Sequence, residues 1–270
     1  MKKILLILTI ALLVSGCMDM LYSISDEVKA EQTTTEYIVP QDGAVIIVEN
    51  INGNVDFSRS VSNKIEIGIR KTTPKDEAEL KKAKVVIDDN QGNIVIKTEY
   101  LEKNVKVSVH YSIKLPENAY LGSVDLVNGS LKIADIKVKD AVFECVNGNI
   151  TITKVRGAVS AESVNGNITV KDTPVINSLE SMNGSISAEI IDVSNRIEIE
   201  TMNGNIKLYI SDKENILLTA ETTNGSVNNT NSSLNVDKIK KTKLKGSLGN
   251  AKYDLEVATM NGSITLNDLN

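Results

Sequence analysis

The chain has no tryptophan and two phenylalanines in 270 residues, with seven tyrosines scattered along it. That excludes an aromatic platform for stacking on sugars, so a glycan would have to be held by polar columns instead. Histidine occurs once, as His110 on the alternating stretch with Val107 and Val109, and reads as a surface residue rather than a base. With no metal-ligand spacing, nucleophile elbow or phosphate loop, catalysis has little to work with, and a non-enzymatic protein is expected. Acidic residues (35) outnumber basic ones (30) and no basic stripe runs through the chain, which argues against binding nucleic acid. There are two cysteines, Cys17 and Cys145. If Cys17 is used in processing, Cys145 has no intramolecular partner, so no disulfide is expected and Cys145 reads as a small buried apolar side chain.

What the chain does have begins with a processing signal. Met1-Lys2-Lys3 is followed by an apolar run from Ile4 to Val14 and then by Ser15 and Gly16. A charged start and a short apolar stretch ahead of small residues describe a secretory signal, too short to span a bilayer as a helix. Val14-Ser15-Gly16-Cys17 resembles the lipobox of bacterial lipoproteins, which implies removal of residues 1–16 and a lipid on Cys17. Each buried methylene of an acyl chain contributes about 0.8 kcal/mol, and more than one chain makes anchoring stable. The expected location is the cell membrane or outer membrane, lipid-anchored and facing away from the cytoplasm. Residues 17–36, mostly polar, read as the lipidated Cys and a flexible tether. Residues 37–270 read as one β domain, irregular over 37–121, regular over 122–227 and irregular again over 228–270.

A short phrase recurs through that domain: Asn52-Gly53, Asn128-Gly129, Asn147-Gly148, Asn165-Gly166, Asn183-Gly184, Asn203-Gly204, Asn224-Gly225 and Asn261-Gly262. From Gly129 to Gly225 the glycines fall 18 to 21 residues apart, a period that marks stacked coils rather than a single irregular core. Four residues before the Asn stand Phe143, Ala161, Leu179, Ile199 and Ala220, and after it come Ile150 and Ile152, Ile168 and Val170, Ile206 and Leu208. These share strand parity and predict the inward face. Two before the Asn the column is small (Cys145, Ser163, Ser181, Thr201, Thr222), as at a pinched corner. Asn-Gly could close a two-residue hairpin or turn a solenoid corner. Columns of like on like favour the solenoid, because stacked amides can hydrogen-bond along the axis. The fold expected is an all-β, single-stranded parallel β-helix (β-solenoid), right-handed, of about eleven coils and about 50 Å. Pro74 to Ala83 reads as a short helical insertion, and Gln91-Gly92-Asn93 as a worn copy of the motif.

One column carries charge. Three residues before the Asn stand Glu49, Asp125, Glu144, Glu162, Glu180, Glu200 and Glu221. Stacking would set the six from Asp125 to Glu221 in one outward line about 5 Å apart, repelling by about 1 kcal/mol per neighbouring pair in water. Lys132 and Lys207 are placed to pair with Asp125 and Glu200. The alternatives are a linear site for calcium, which takes carboxylate oxygens, and a solvated acidic ridge that discourages aggregation. Near the C-terminus Lys238, Lys240, Lys241, Lys243 and Lys245 interleave with Ile239 and Leu244. They suit either a basic patch for an anionic polymer or an end strand protected from pairing with another chain.

From about Tyr37 onward the chain resembles the putative adhesin family of bacterial envelope proteins. The resemblance rests on the repeated Asn-Gly-Asn/Ser-Ile unit and on Val107-Ser108-Val109-His110-Tyr111-Ser112-Ile113-Lys114-Leu115-Pro116, followed by Leu121 and Asn128-Gly129. It implies a β-solenoid displayed at the cell envelope and brings no catalytic residues. Two roles follow as expectations, an adhesin-like scaffold for an envelope polymer or protein and an accessory part of envelope-stress signalling with a membrane-protein partner. A polysaccharide-active enzyme would need basic residues gathered beside an acidic cluster, and the sequence shows no such gathering.

Overall fold

A strand with apolar side chains on one face is stable only when a second apolar face covers it. This chain meets that need by folding each repeat into two strands that face each other across a shared core. A computed structural model describes residues 28–38, 43–90 and 93–269. The signal segment, Cys17 and Gln91-Gly92 lie outside the described residues, within which no helix is long and apolar enough to cross a membrane.

In chain order the first elements are β1 (Lys29–Ile38), β2 (Ala44–Asn52), β3 (Val55–Arg59), β4 (Lys64–Thr73), α1 (Glu77–Leu80), β5 (Ala83–Asn90), β6 (Asn93–Tyr100) and β7 (Ser108–Leu115). The regular array follows: β8 (Ala119–Asn128), β9 (Leu131–Ala134), β10 (Val138–Asn147), β11 (Ile150–Thr153), β12 (Ala158–Asn165), β13 (Ile168–Lys171), β14 (Val175–Asn183), β15 (Ile186–Ile190), β16 (Ile197–Asn203) and β17 (Ile206–Ile210). Last come β18 (Ile216–Asn224), β19 (Val227–Asn229), β20 (Asn235–Lys240), β21 (Lys243–Ser247), β22 (Tyr253–Asn261) and β23 (Ile264–Asp268).

In each regular coil a long strand ends on the motif's Asn, the Gly turns the corner, and a short strand returns in the opposite sheet. The long strands stack in parallel with like residues in register, as in Phe143 on Ala161, Glu144 on Glu162 and Asn147 on Asn165. The fold is therefore a β-solenoid, and the inward columns are those the sequence predicts: Phe143, Ala161, Leu179, Ile199 and Ala220 are fully buried. The second corner had no counterpart in the sequence reading. There Asp135, Lys154, Asp172 and Asp192 take positive φ of 52°, 55°, 46° and 52°, a conformation Asp tolerates better than most residues.

Coils do not stack in chain order at either end. The long-strand sheet runs β20-β21-β18-β22-β16-β14-β12-β10-β8-β2-β6-β5, and the short-strand sheet β1-β4-β7-β3-β9-β11-β13-β15-β17-β23-β19. The last coil, β22–β23, thus lies between β16–β17 and β18–β19, and β2–β3 lies between β6–β7 and β8–β9. Nine parallel two-strand levels result among the described residues, not eleven. Antiparallel strands at the ends still bring the sheets to 11 and 12 strands, a stack about 50 Å tall.

Four local expectations change. Residues 29–36, read as tether, belong to β1, which pairs antiparallel with β4 from Lys29 opposite Thr73 to Ile38 opposite Lys64. The helix is a single turn, capped by Asp76, whose carboxylate accepts from Glu79 N at 3.1 Å; Ala83 already begins a strand. The strands β5 and β6 pair antiparallel within one sheet, Asn90 opposite Asn93, whereas each Asn-Gly motif links strands of opposite sheets. Asn228 and Asn229, at the start of the stretch read as irregular, extend β19.

Candidate binding face

The Asn-Gly corners form the spine that fixes every other side chain. Beyond Asn52, each Asn donates its amide N–H to Oδ1 of the Asn on the neighbouring level, joining Asn128 to Asn52, Asn147 to Asn128, Asn165 to Asn147, Asn183 to Asn165 and Asn203 to Asn183 at 2.9–3.0 Å. Asn261 continues onto Asn203 at 2.8 Å and Asn224 onto Asn261 at 2.9 Å, so the ladder follows the stacking order rather than the sequence order. Beside it the glycines pack backbone on backbone. A Cβ on Gly166 would lie 1.9 Å from the Gly148 carbonyl oxygen, and one on Gly184 2.0 Å from that of Gly166. The small column completes the corner: Ser163, Ser181 and Thr201 donate their hydroxyls to the Gly148, Gly166 and Gly184 carbonyls at 3.2, 3.0 and 2.8 Å. Cys145 fills the same place with Sγ 3.2 Å from the Gly129 oxygen, and burial pushes its thiol up to about 11. It is a buried, unreactive member of the corner.

With the corners fixed, the outer face of the long-strand sheet shows one residue of each column per level. Glu49, Asp125, Glu144, Glu162, Glu180 and Glu200 stand consecutively in register. Glu221 does not join them, because the inserted strand β22 places Ala258 between Glu200 and Glu221. Lysines neutralise the carboxylate that starts the column and the one beyond its break: Lys97 lies 2.8 Å from Glu49, and Lys243 binds Glu221. Between them, Asp125 to Glu200 carry no ion pair among the described residues. Lys132 and Lys207 do not supply one, since they belong to β9 and β17 in the opposite sheet, and Lys207 lies over the Tyr209 ring at 5.1 Å. Partial desolvation, reinforced by neighbouring carboxylates, raises the pKa of Asp125 and Glu180 above the ordinary carboxylate range. Among the described residues no three acidic, histidine or cysteine side chains converge as a metal site, so calcium here would have to bridge carboxylates of neighbouring levels.

Beside the acids runs a column the sequence reading passed over. Ile51, Val127, Val146, Val164, Met182, Met202 and Met260, each immediately before the Asn, are 37–49% exposed. They are two residues from the acids along each strand and so share their face. The signal is present in the sequence as the Ile, Val or Met that precedes the Asn in seven of the eight motifs. Acid and apolar columns together line a shallow groove of about 570 Å³ from Glu144 to Met260. His110 stands well away from it, its Nδ1 accepting from Asn54 N at 3.1 Å, and burial lowers its pKa. Thr98 and the buried Tyr111 share a 2.6 Å hydrogen bond inside the core, where burial pushes the phenol up to about 12.

The chain is similar to several solved structures. A putative adhesin from Bacteroides fragilis is 12% identical over 91% of this chain and 98% of its own, with a TM-score of 0.46. A putative cell adhesion protein from Clostridium sporogenes is 12% identical over 90% and 100%, at 0.34. A putative lipid binding protein from Parabacteroides distasonis is 15% identical over 88% and 97%, at 0.36. No curated protein matches the chain. The Toastrack DUF4097 family profile matches residues 17–267, almost the whole length, and this repeat-built β-solenoid belongs to that family.

Proposed function

We propose that the protein is a non-enzymatic, lipid-anchored scaffold of the cell envelope whose long-strand face holds a linear envelope polymer or an envelope protein. The observation that carries this reading is the repetition on that face. The same carboxylate and the same apolar side chain recur level after level in a groove of about 570 Å³, and a periodic surface suits an extended partner contacted by many weak interactions. The Val14-Ser15-Gly16-Cys17 signal supports attachment at the membrane surface, with Cys17 carrying the lipid.

The test is co-sedimentation of residues 18–270 with isolated cell walls, once with calcium and once with chelator. Sedimentation with the walls is the expected result. Dependence on calcium would mean that the carboxylates from Asp125 to Glu200 bridge to an anionic polymer through the ion. No sedimentation in either condition would overturn the wall-polymer reading and favour a membrane-protein partner, as in envelope-stress signalling.

A further inference from the structure

The two columns of the long-strand face differ in character, and together they specify a partner more closely than either does alone. The five carboxylates from Asp125 to Glu200 lie in one unbroken line without a counter-charge among the described residues, while the chain seats a lysine on the carboxylate beyond each end, Lys97 on Glu49 and Lys243 on Glu221. Lys97 comes from β6 and Lys243 from β21, each an adjacent strand in the sheet. The protein thus shows which group satisfies this column: an ammonium delivered from a neighbouring segment. Alongside, Val127, Val146, Val164, Met182, Met202 and Met260 hold apolar surface open to solvent, and three methionines in consecutive levels make that part adaptable to differently shaped apolar side chains.

We infer that this face docks a basic amphipathic polypeptide segment lying along the stack axis, its Lys or Arg side chains over the carboxylates from Asp125 to Glu200 and its apolar side chains over the Val and Met column. The inference rests on the reading of this face as the binding surface and names the partner's chemistry. Five levels span about 19 Å at the strand spacing, which about 13 residues of helix would cover. An anionic polymer or an anionic lipid surface meets like charge here and binds this face only through a bridging cation. The desolvated, mutually repelled state of Asp125 and Glu180 is relieved when cations arrive.

The experiment measures fluorescence anisotropy of a labelled synthetic peptide of about 14 residues, with lysines along one side and leucines along the other, titrated with the full chain bearing Cys17→Ser to prevent lipidation. Comparison peptides replace lysine by glutamate or leucine by serine. The lysine–leucine peptide is expected to bind, with both comparison peptides weaker by about tenfold or more and binding falling as salt rises. Glu162→Gln with Glu180→Gln should weaken binding and flatten the salt dependence, and Met182→Ser with Met202→Ser should weaken it with the salt dependence kept. Circular dichroism melting of each variant checks that the fold is intact. Equal binding of the glutamate peptide, or binding unchanged in both double variants, overturns the inference. Concentration-dependent self-association of the chain that both double variants abolish also overturns it, because the occupant would then be a second copy. If walls co-sediment while no basic peptide binds, the envelope-polymer reading stands and this inference fails alone.

Discussion

Asn165 sits in the middle of the amide ladder, donating to Asn147 Oδ1 at 2.9 Å and accepting from Asn183 Nδ2 at 3.0 Å. Asn165→Ala deletes both bonds and strands a donor and an acceptor on the neighbouring levels. A net hydrogen bond contributes about 0.5–1.5 kcal/mol. These side chains reach solvent and water can replace part of each bond, so the expected loss is about 1–2 kcal/mol in total. Asn224 stands at the end of the ladder and donates only to Asn261, so Asn224→Ala should lose about half as much. Asn165→Asp separates hydrogen bonding from shape: it still accepts from Asn183 but turns an oxygen toward Asn147 Oδ1, a defect that protonation of the new carboxyl at low pH repairs by supplying a donor. Urea denaturation followed by far-ultraviolet circular dichroism reads the loss as a lower midpoint with unchanged slope. Equal midpoints for wild type and Asn165→Ala, within about 0.3 kcal/mol, would refute the claim that the ladder contributes to stability.

Gly166→Ala places a methyl 1.9 Å from the Gly148 oxygen, and because backbone must move to admit it, a loss of about 3 kcal/mol or more is expected in thermal melts. Phe143 is fully buried; Phe143→Ala should cost about 3–5 kcal/mol through the cavity it leaves, read as a lower urea midpoint. Glu180 has a pKa raised in the folded state, so its charge opposes folding at neutral pH, and that cost disappears as pH falls through the raised value. Glu180→Gln should therefore be more stable than wild type at about pH 7, with the gap narrowing as the pH is lowered toward 4; a gap that widens would contradict the direction of the shift.

Much of the fold is legible in the residues because strand parity is. Alternation sets Phe143 and Ala161 inward and Glu144 and Glu162 outward, and the period of the glycines marks the corners. The order of the coils is not legible, and the reason is the repetition itself. Asn203 would be matched equally well by Asn224 or Asn261, so columns that encode register carry no information about which level lies above which. That ambiguity accounts for the break at Ala258 in the acidic line. Thr33, Thr34 and Thr35 are β-branched residues suited to a strand, yet the polarity of their surroundings equally suits a tether; β4 recruits them as an edge partner. A hydrophobic residue beside a turn carries no signal singly, and only stacking turns seven of them into a surface.

The C-terminal coil has a consequence for how the chain is made. Residues 216–229 leave the ribosome before residues 253–268, yet in the finished molecule the later segment lies beneath the earlier one. While synthesis is incomplete, the matched columns allow the earlier coil to settle directly on β16–β17, and the last segment must then part a closed joint to take its place. Similar contacts at the other end connect Asn52 with Asn128 across 76 residues, so assembly cannot simply proceed outward from one end. A chain cut short after residue 248 would close its own gap, one level shorter and with Glu221 brought against Glu200. Small-angle scattering on that fragment would show a rod shortened by about 5 Å where the gap closes, and a greater shortening with an unseated end where it does not.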